Sequence, residues 1–169
     1  MDLLTRINRT QFLGREFLTW LWYRSELSEG LFQRDGETFE VWFDAKLVLE
    51  SLGDIKEQSA IKSENPTETE EARASLQTGK QVREAQLRLI QGQKQWTFTI
   101  KAEDLAISGL KVPALLAREE EEQLYERFYL LEEALDLVEH LWRTFVTLRL
   151  DDDAWRAELE SIRAWVRGE

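Results

Sequence analysis

The chain has 169 residues, with 33 acids against 22 bases and a net charge of −11; its 43% hydrophobic content includes seven Trp and eight Phe, ample for the single core expected at this length. Two Pro and eight Gly argue against a disordered or fibrous chain, and no apolar run approaches the 18 residues of a membrane span. With no Cys and one His, disulfides, thiol catalysis, zinc fingers and His-based metal sites are excluded; the opening Met-Asp-Leu-Leu-Thr-Arg is not a signal peptide, and the expected compartment is the cytoplasm.

The first strong segment runs from Thr10 to about Leu27. Leu13, Phe17, Trp20, Leu21 and Arg24 recur at helical spacing, with Phe12, Trp22 and Tyr23 adding apolar surface on the flanks. A helix apolar on more than one side is buried between layers or held by a partner. Gly14 inside it costs about 1 kcal/mol against Ala, which is consistent with a close backbone approach. From Glu37 the period changes to two. Phe39, Val41 and Phe43 are followed by Leu47 and Leu49 beyond Asp44-Ala45, as either a hairpin or one strand bent near Asp44. Leu52-Gly53-Asp54 is a turn, and the polar stretch Ile55 to Lys62 reads as an edge strand.

Asn65-Pro66-Thr67 opens a helix, with Thr67 and Glu70 spaced as a capping box and Gly79 placed to end it. Ala72 and Leu76 form its apolar stripe. Residues 82 to 101 form a hairpin around Gln91-Gly92-Gln93-Lys94, with Val82, Ala85, Leu87, Leu89, Trp96, Phe98 and Ile100 inward. The slip of phase between Val82 and Ala85 is either a bulge or a late strand start. Leu105 to Val112 is a short strand or extended connection ending at Pro113. In the C-terminal third, Leu124, Phe128, Leu131, Leu135, Val138, Trp142 and Phe145 follow a heptad rhythm. A second stripe, Trp155, Leu159, Ile162 and Val166, follows the N-capping run Asp151-Asp152-Asp153.

These elements predict an α+β fold in a single domain: an antiparallel sheet with one capped helix across it, an aromatic N-terminal helix and a C-terminal helical hairpin. Residues 1–113 form the sheet portion and 114–169 the hairpin.

No enzymatic constellation is visible, and no catalytic, cofactor-binding or metal-binding residue is assigned. The acidic runs Glu119 to Glu122 and Asp151 to Asp153 are explained by helix-dipole matching. Asp151 to Asp153 lacks the alternating spacing of a calcium loop. His140 reads as a half-buried or surface helix residue, and Gly79-Lys80 lacks the remaining residues of a phosphate-binding loop.

Charge is unevenly spread. Residues 114–169 hold fifteen acids and seven bases, whereas residues 80–113 hold six bases and three acids. Lys80, Arg83, Arg88, Lys94, Lys101 and Lys111 lie in this basic stretch, with Lys56 and Lys62 in the preceding polar segment. On one sheet face they would track a phosphate backbone without reading sequence. The residues alone favour the plainer alternative, ordinary outward positions of a sheet.

From Asp54 through Val112 the order of parts resembles the C-terminal half of RdgC, the bacterial recombination-associated family. The shared run is Ile55-Lys56, a Thr/Glu-rich capped helix, Gly79-Lys80 with Val82, Leu87 and Leu89, a turn, Trp96 and Phe98, and Leu110-Lys111. Phe12-Leu13-Gly14-Arg15-Glu16-Phe17-Leu18-Thr19-Trp20-Leu21-Trp22 is similar to a block of longer RdgC-like proteins. The resemblance implies a non-enzymatic protein that binds double-stranded DNA without marked sequence preference, in a family that forms a dimeric ring and restrains strand exchange. Lys80 carries over by position, while Gln58, Ser59 and Ala60 stand where the family pattern is basic. The expected DNA contacts are Lys56, Lys62, Lys80, Arg83 and Arg88. The expected partners are double-stranded DNA and a second copy or another protein at the C-terminal helices, with no membrane. The competing reading is an acidic protein-interaction module, or a DNA mimic with no DNA contact of its own.

Overall fold

In a computed structural model describing residues 3–169, with side chains from Phe12 onward, the first element is helix α1, Leu3–Leu27. Met1, Asp2 and the side chains of residues 3–11, including most of the opening Met-Asp-Leu-Leu-Thr-Arg, lie outside the described residues. The helix starts earlier than the expected Thr10. Phe17, Leu18, Trp20, Leu21 and Trp22 are all essentially buried, so it is covered on more than one side, as its composition requires. At Gly14 an added Cβ would lie 1.8 Å from the Ala102 carbonyl oxygen. The glycine therefore permits the close approach that offsets its poor helix propensity.

Strand β1, Leu31–Arg34, forms in a segment whose sequence carries no strand alternation. It turns through Asp35 (φ 50°) and Gly36 (φ 81°) into β2, Glu37–Glu50. Positive φ at both central residues is the geometry of the tight hairpin turn that Asp-Gly favours. Strand β2 is the single bent strand of the two alternatives. At Asp44 to Leu47 it advances three residues while its neighbour advances one, with Ala45 at φ 45°. Two extra residues preserve parity, so Phe43, Leu47 and Leu49 stay on the same face. Strand β3, Gln58–Lys62, is shorter than the expected 55–62 segment, and Ile55 is exposed.

A short 3-10 turn at Pro66–Glu68 leads into α2, Glu70–Gln77. The expected Thr67 cap is corrected here. Thr69 caps the helix, accepting from the Ala72 N–H at 3.2 Å, while Thr67 lies within the 3-10 turn. Pro66 favours a tight turn before the helix and so moves the cap two residues on. Gly79, at φ 88°, ends the segment as expected.

Strands β4 (Gln81–Gln91), β5 (Lys94–Lys101) and β6 (Ile107–Lys111) complete a six-stranded sheet in which all pairings are antiparallel. Its order is β1-β2-β4-β5-β6, with β3 also paired to β2. The phase slip is a bulge: Val48 pairs with Glu84 and Leu49 with Val82, which leaves Arg83 as the extra residue.

Two helices follow, α3 (Glu120–Leu150) and α4 (Asp152–Arg167). Asp151 joins them and caps α4 through the Ala154 N–H at 3.0 Å. The heptad rhythm implies that this stripe faces the second helix or the sheet, and over its first half it does neither. The buried residues of α3 are Leu130, Ala134, Leu137, Leu141 and Phe145, whereas Leu124, Phe128, Leu131 and Leu135 are exposed. The helix thus carries two apolar faces. The one against the sheet is seated by small Ala134 and by Trp96, whose Nε1 donates to the Leu130 carbonyl at 2.9 Å. Phe17 and Trp20 of α1 reach Phe145, and Trp22 lies between Phe43 and Trp165. The result is an α+β fold with α1 held between the sheet and the C-terminal helical pair.

Candidate nucleic-acid interface

The period of the strands separates two sheet faces with different chemistry. Phe39, Val41, Phe43, Leu47, Leu49, Val82, Ala85, Leu87, Leu89, Trp96, Phe98 and Ile100 form the core face. Contacts from the helices converge there: α1 through Thr19 to the Val82 N–H and Trp22 to Phe43, α2 through Ser75 to Ser59, and α3 through Leu130 to Trp96, while Trp165 of α4 packs on Trp22 of α1. The intervening residues face the opposite way, onto a surface closed at one end, where Val48 and Glu50 are buried and Arg15 of α1 reaches Glu50, and exposed at Lys62, Lys101 and Lys111.

Register places the side chains of that open face. Lys62 of β3 lies directly opposite Lys46 of β2, and Glu84 of β4 directly opposite Lys101 of β5. Lys46 Nζ donates to Glu84 Oε1 at 2.6 Å. A second row runs Trp42, Arg88, Thr97 and Lys111, and between the two rows runs Asp44, Gln86, Thr99 and Ser108. By alternation the face carries Lys46, Lys62, Arg88, Lys101 and Lys111 against Glu40, Asp44, Glu84 and the buried Glu50, a slight positive balance in a chain of net charge −11. Among the described residues, Lys62, Lys101 and Lys111 are all exposed and none is in an ion pair.

The expected DNA contacts are not gathered into one patch. Lys62 and Arg88 lie on the open face, Arg88 with Nε 4.0 Å from Asp44. Lys56 and Arg83 instead approach Glu50, at 3.7 and 3.1 Å, together with Arg15 at 3.2 Å. The Glu50 side chain is 1% exposed. Burial opposes its charge, but the Gln58 hydrogen bond and the Arg15 and Arg83 guanidiniums together hold its carboxyl below the usual range. Lys80 belongs to a third environment, its Nζ donating to Ser59 Oγ at 3.0 Å beside α2. Lys46, absent from the expected contacts, lies outside both the net-basic 80–113 stretch and the polar 55–62 segment. The signal that finds it is its outward place in the β2 alternation, opposite Lys62.

His140 is half-buried, with Nε2 2.8 Å from the Gln33 carbonyl and its ring against Phe39. It borders a groove of about 500 Å³ lined by Trp20, Arg24, Leu31, Thr144 and Leu148 among others. Among the described residues, no group of three or more His, Asp or Glu side chains is arranged to hold a metal ion. No helix is long and apolar enough to cross a membrane among those residues. No family model and no curated protein matches the chain.

Proposed function

We propose that this chain is an RdgC-like, non-enzymatic accessory protein that contacts the backbone of double-stranded DNA, without sequence selectivity, through the open face of its sheet. The observation that carries the reading is the exposed part of that face. Lys62, Lys101 and Lys111 stand on it with Arg88 and Lys46, while fifteen of the 33 acids lie in residues 114–169 on the helical side. Such polarity reconciles an acidic chain with phosphate contact, because one face presents cations while the other repels the duplex. Thr97, Thr99 and Gln86 add neutral donors suited to phosphate oxygens. The setting is recombination or a related genome process, as the resemblance to the RdgC family implies, in the cytoplasm, as the cysteine-free composition suggests.

The test is fluorescence anisotropy with a labelled random-sequence duplex across a salt series. Saturable binding whose logarithm falls linearly with log salt supports the reading, and the slope counts the phosphates engaged. Lys62→Glu with Lys101→Glu and Lys111→Glu should abolish that binding while leaving the fold intact. Absence of binding at about 50 mM salt overturns it.

The second reading, an acidic interaction module or DNA mimic, is favoured by one specific feature. The exposed run Glu119–Glu122 and the exposed apolar positions of α3 lie on the same helical region. Under that reading the chain binds no duplex, and the open-face charge reversals leave its interactions unchanged.

A further inference from the structure

The heptad positions of α3 divide at Val138. Beyond it, the stripe is satisfied within the chain: Trp142 meets Phe17 edge-on at 5.2 Å, and Phe145 is fully buried against Phe17, Trp20 and Trp155. Before it, Leu124 is 52% exposed, Phe128 59%, Leu131 38% and Leu135 44%. Half of a coiled-coil seam is therefore covered by α1, and the other half is open. From these residues we infer that the open half is the seam of a parallel, two-fold coiled coil with a second copy of this chain.

The heptad assignment puts Phe128 and Leu135 at a, and Leu124 and Leu131 at d. Arg127 then falls at g, Glu132 at e and Glu139 at the next e. In a parallel pair, a g residue faces the partner's e residue five positions on. Arg127 and Glu132 are separated by that interval. Both are exposed, and among the described residues neither is in an ion pair. Two symmetric copies thus form two Arg127–Glu132 pairs across the seam. An antiparallel pair sets g against g and e against e, bringing Glu132 against Tyr125, Glu132 or Glu139 and Arg127 against Ala134 or another arginine, so that it forms no ion pair. Charge complementarity therefore selects a second copy, in parallel.

The area agrees. With Tyr125 at 66% exposure, the four seam residues offer roughly 500 Å² per copy, taking 150–250 Å² for a full aromatic side chain. Two copies then bury about 1,000 Å², the lower end for a specific interface, and a micromolar dimer is expected. The Arg127 and Glu132 flanks set orientation more than affinity.

Sedimentation equilibrium of the full chain without DNA tests this separately from the duplex experiment. A concentration-dependent monomer–dimer equilibrium is expected. Arg127→Glu should raise the dissociation constant at least tenfold, and adding Glu132→Arg should restore it. Because the chain has no Cys, a single Leu131→Cys gives an independent readout. In a parallel pair the d residues face each other across the axis and oxidation links the two copies; in an antiparallel pair they do not. Leu131 is exposed, so neither variant removes core packing. A monomer at several hundred micromolar, including one that captures a helix of a different protein, overturns the inference. So does a dimer indifferent to Arg127→Glu, or a Leu131→Cys protein that does not cross-link as a dimer.

Discussion

Gly14 in α1 and Ala102, just past the end of β5, approach so closely that a methyl group on the glycine would lie 1.8 Å from the alanine's carbonyl oxygen. The obstacle is backbone, held by the Ala102 N–H donating to the Arg83 carbonyl at 2.7 Å. No flexible side chain can move aside. Helix propensity alone would make Gly14→Ala stabilising by about 1 kcal/mol, and overpacking of 1–3 kcal/mol or more opposes it. The clash wins. Thermal denaturation should show Gly14→Ala melting about 5 °C or more below the parent. Gly53→Ala, with open space around it and no positive φ, should stay within about 0.5 kcal/mol.

Two neighbouring leucines separate the faces of α3. Leu130 is 5% exposed against the sheet, and Leu131 is 38% exposed on the seam. Leu130→Ala leaves a cavity beside Trp96 and should cost about 2–4 kcal/mol in urea unfolding. Leu131→Ala, measured dilute enough that the chain is monomeric, should cost less than about 1 kcal/mol. Equal costs would mean that both faces are core.

These leucines also mark where the sequence is ambiguous. A helix with apolar residues at both 124, 128, 131, 135 and 130, 134, 137, 141 satisfies two periodic templates at once. The heptad is the more regular, yet the sheet selects the other because Ala134 allows a close approach and Trp96 needs the Leu130 carbonyl. Elsewhere local chemistry is enough. The Val82–Ala85 slip is legible because a bulge leaves a visible defect in a period of two, and Asp151 is legible as a cap because charge and position agree. Strand β1 is not, since Leu31-Phe32-Gln33-Arg34 has no alternation, although Asp35-Gly36 signals the turn after it. The open face is only half legible. Outward lysines can be listed from alternation, but which of them meet Glu50 depends on the register of three strands.

The cap of α2 distinguishes two threonines. Thr69 accepts from Ala72 N–H and donates from Oγ1 to the Pro66 carbonyl at 2.9 Å. Thr69→Ala should therefore lower stability by about 1 kcal/mol. Thr67→Ala should have little effect, and a larger loss at Thr67 than at Thr69 would place the cap where the sequence spacing suggested.

Glu50 links stability to pH. Its folded carboxyl sits below the ordinary value of 4.5, so the unfolded chain takes up the proton first. The stabilisation is fully present above that ordinary value and is lost as pH falls through the lower folded one. Glu50→Gln should cost about 2–3 kcal/mol near neutrality, since it leaves Arg15 and Arg83 without their buried counter-charge. Between about pH 5 and pH 3 the gap between parent and variant should narrow, because the parent loses the same interaction by protonation. A gap that stays constant across that range would assign the loss to packing.

The same carboxylate separates structural cations from those available to a ligand. Arg83 is spent on Glu50, so Arg83→Ala should reduce stability, by about 1 kcal/mol given its partial exposure. It should alter duplex binding only through that loss. Lys101 stands exposed on the open face with no ion pair among the described residues, so Lys101→Ala should leave the melting temperature unchanged. If the face tracks phosphates, the same substitution reduces the slope of log affinity against log salt by about one. Measuring melting and salt slope on both variants gives a crossed result: stability falls with Arg83, and phosphate count falls with Lys101. The opposite pattern, with Arg83 carrying the slope, would move the duplex from the open face to the Glu50 end of β2, where Lys56 and Arg15 also lie.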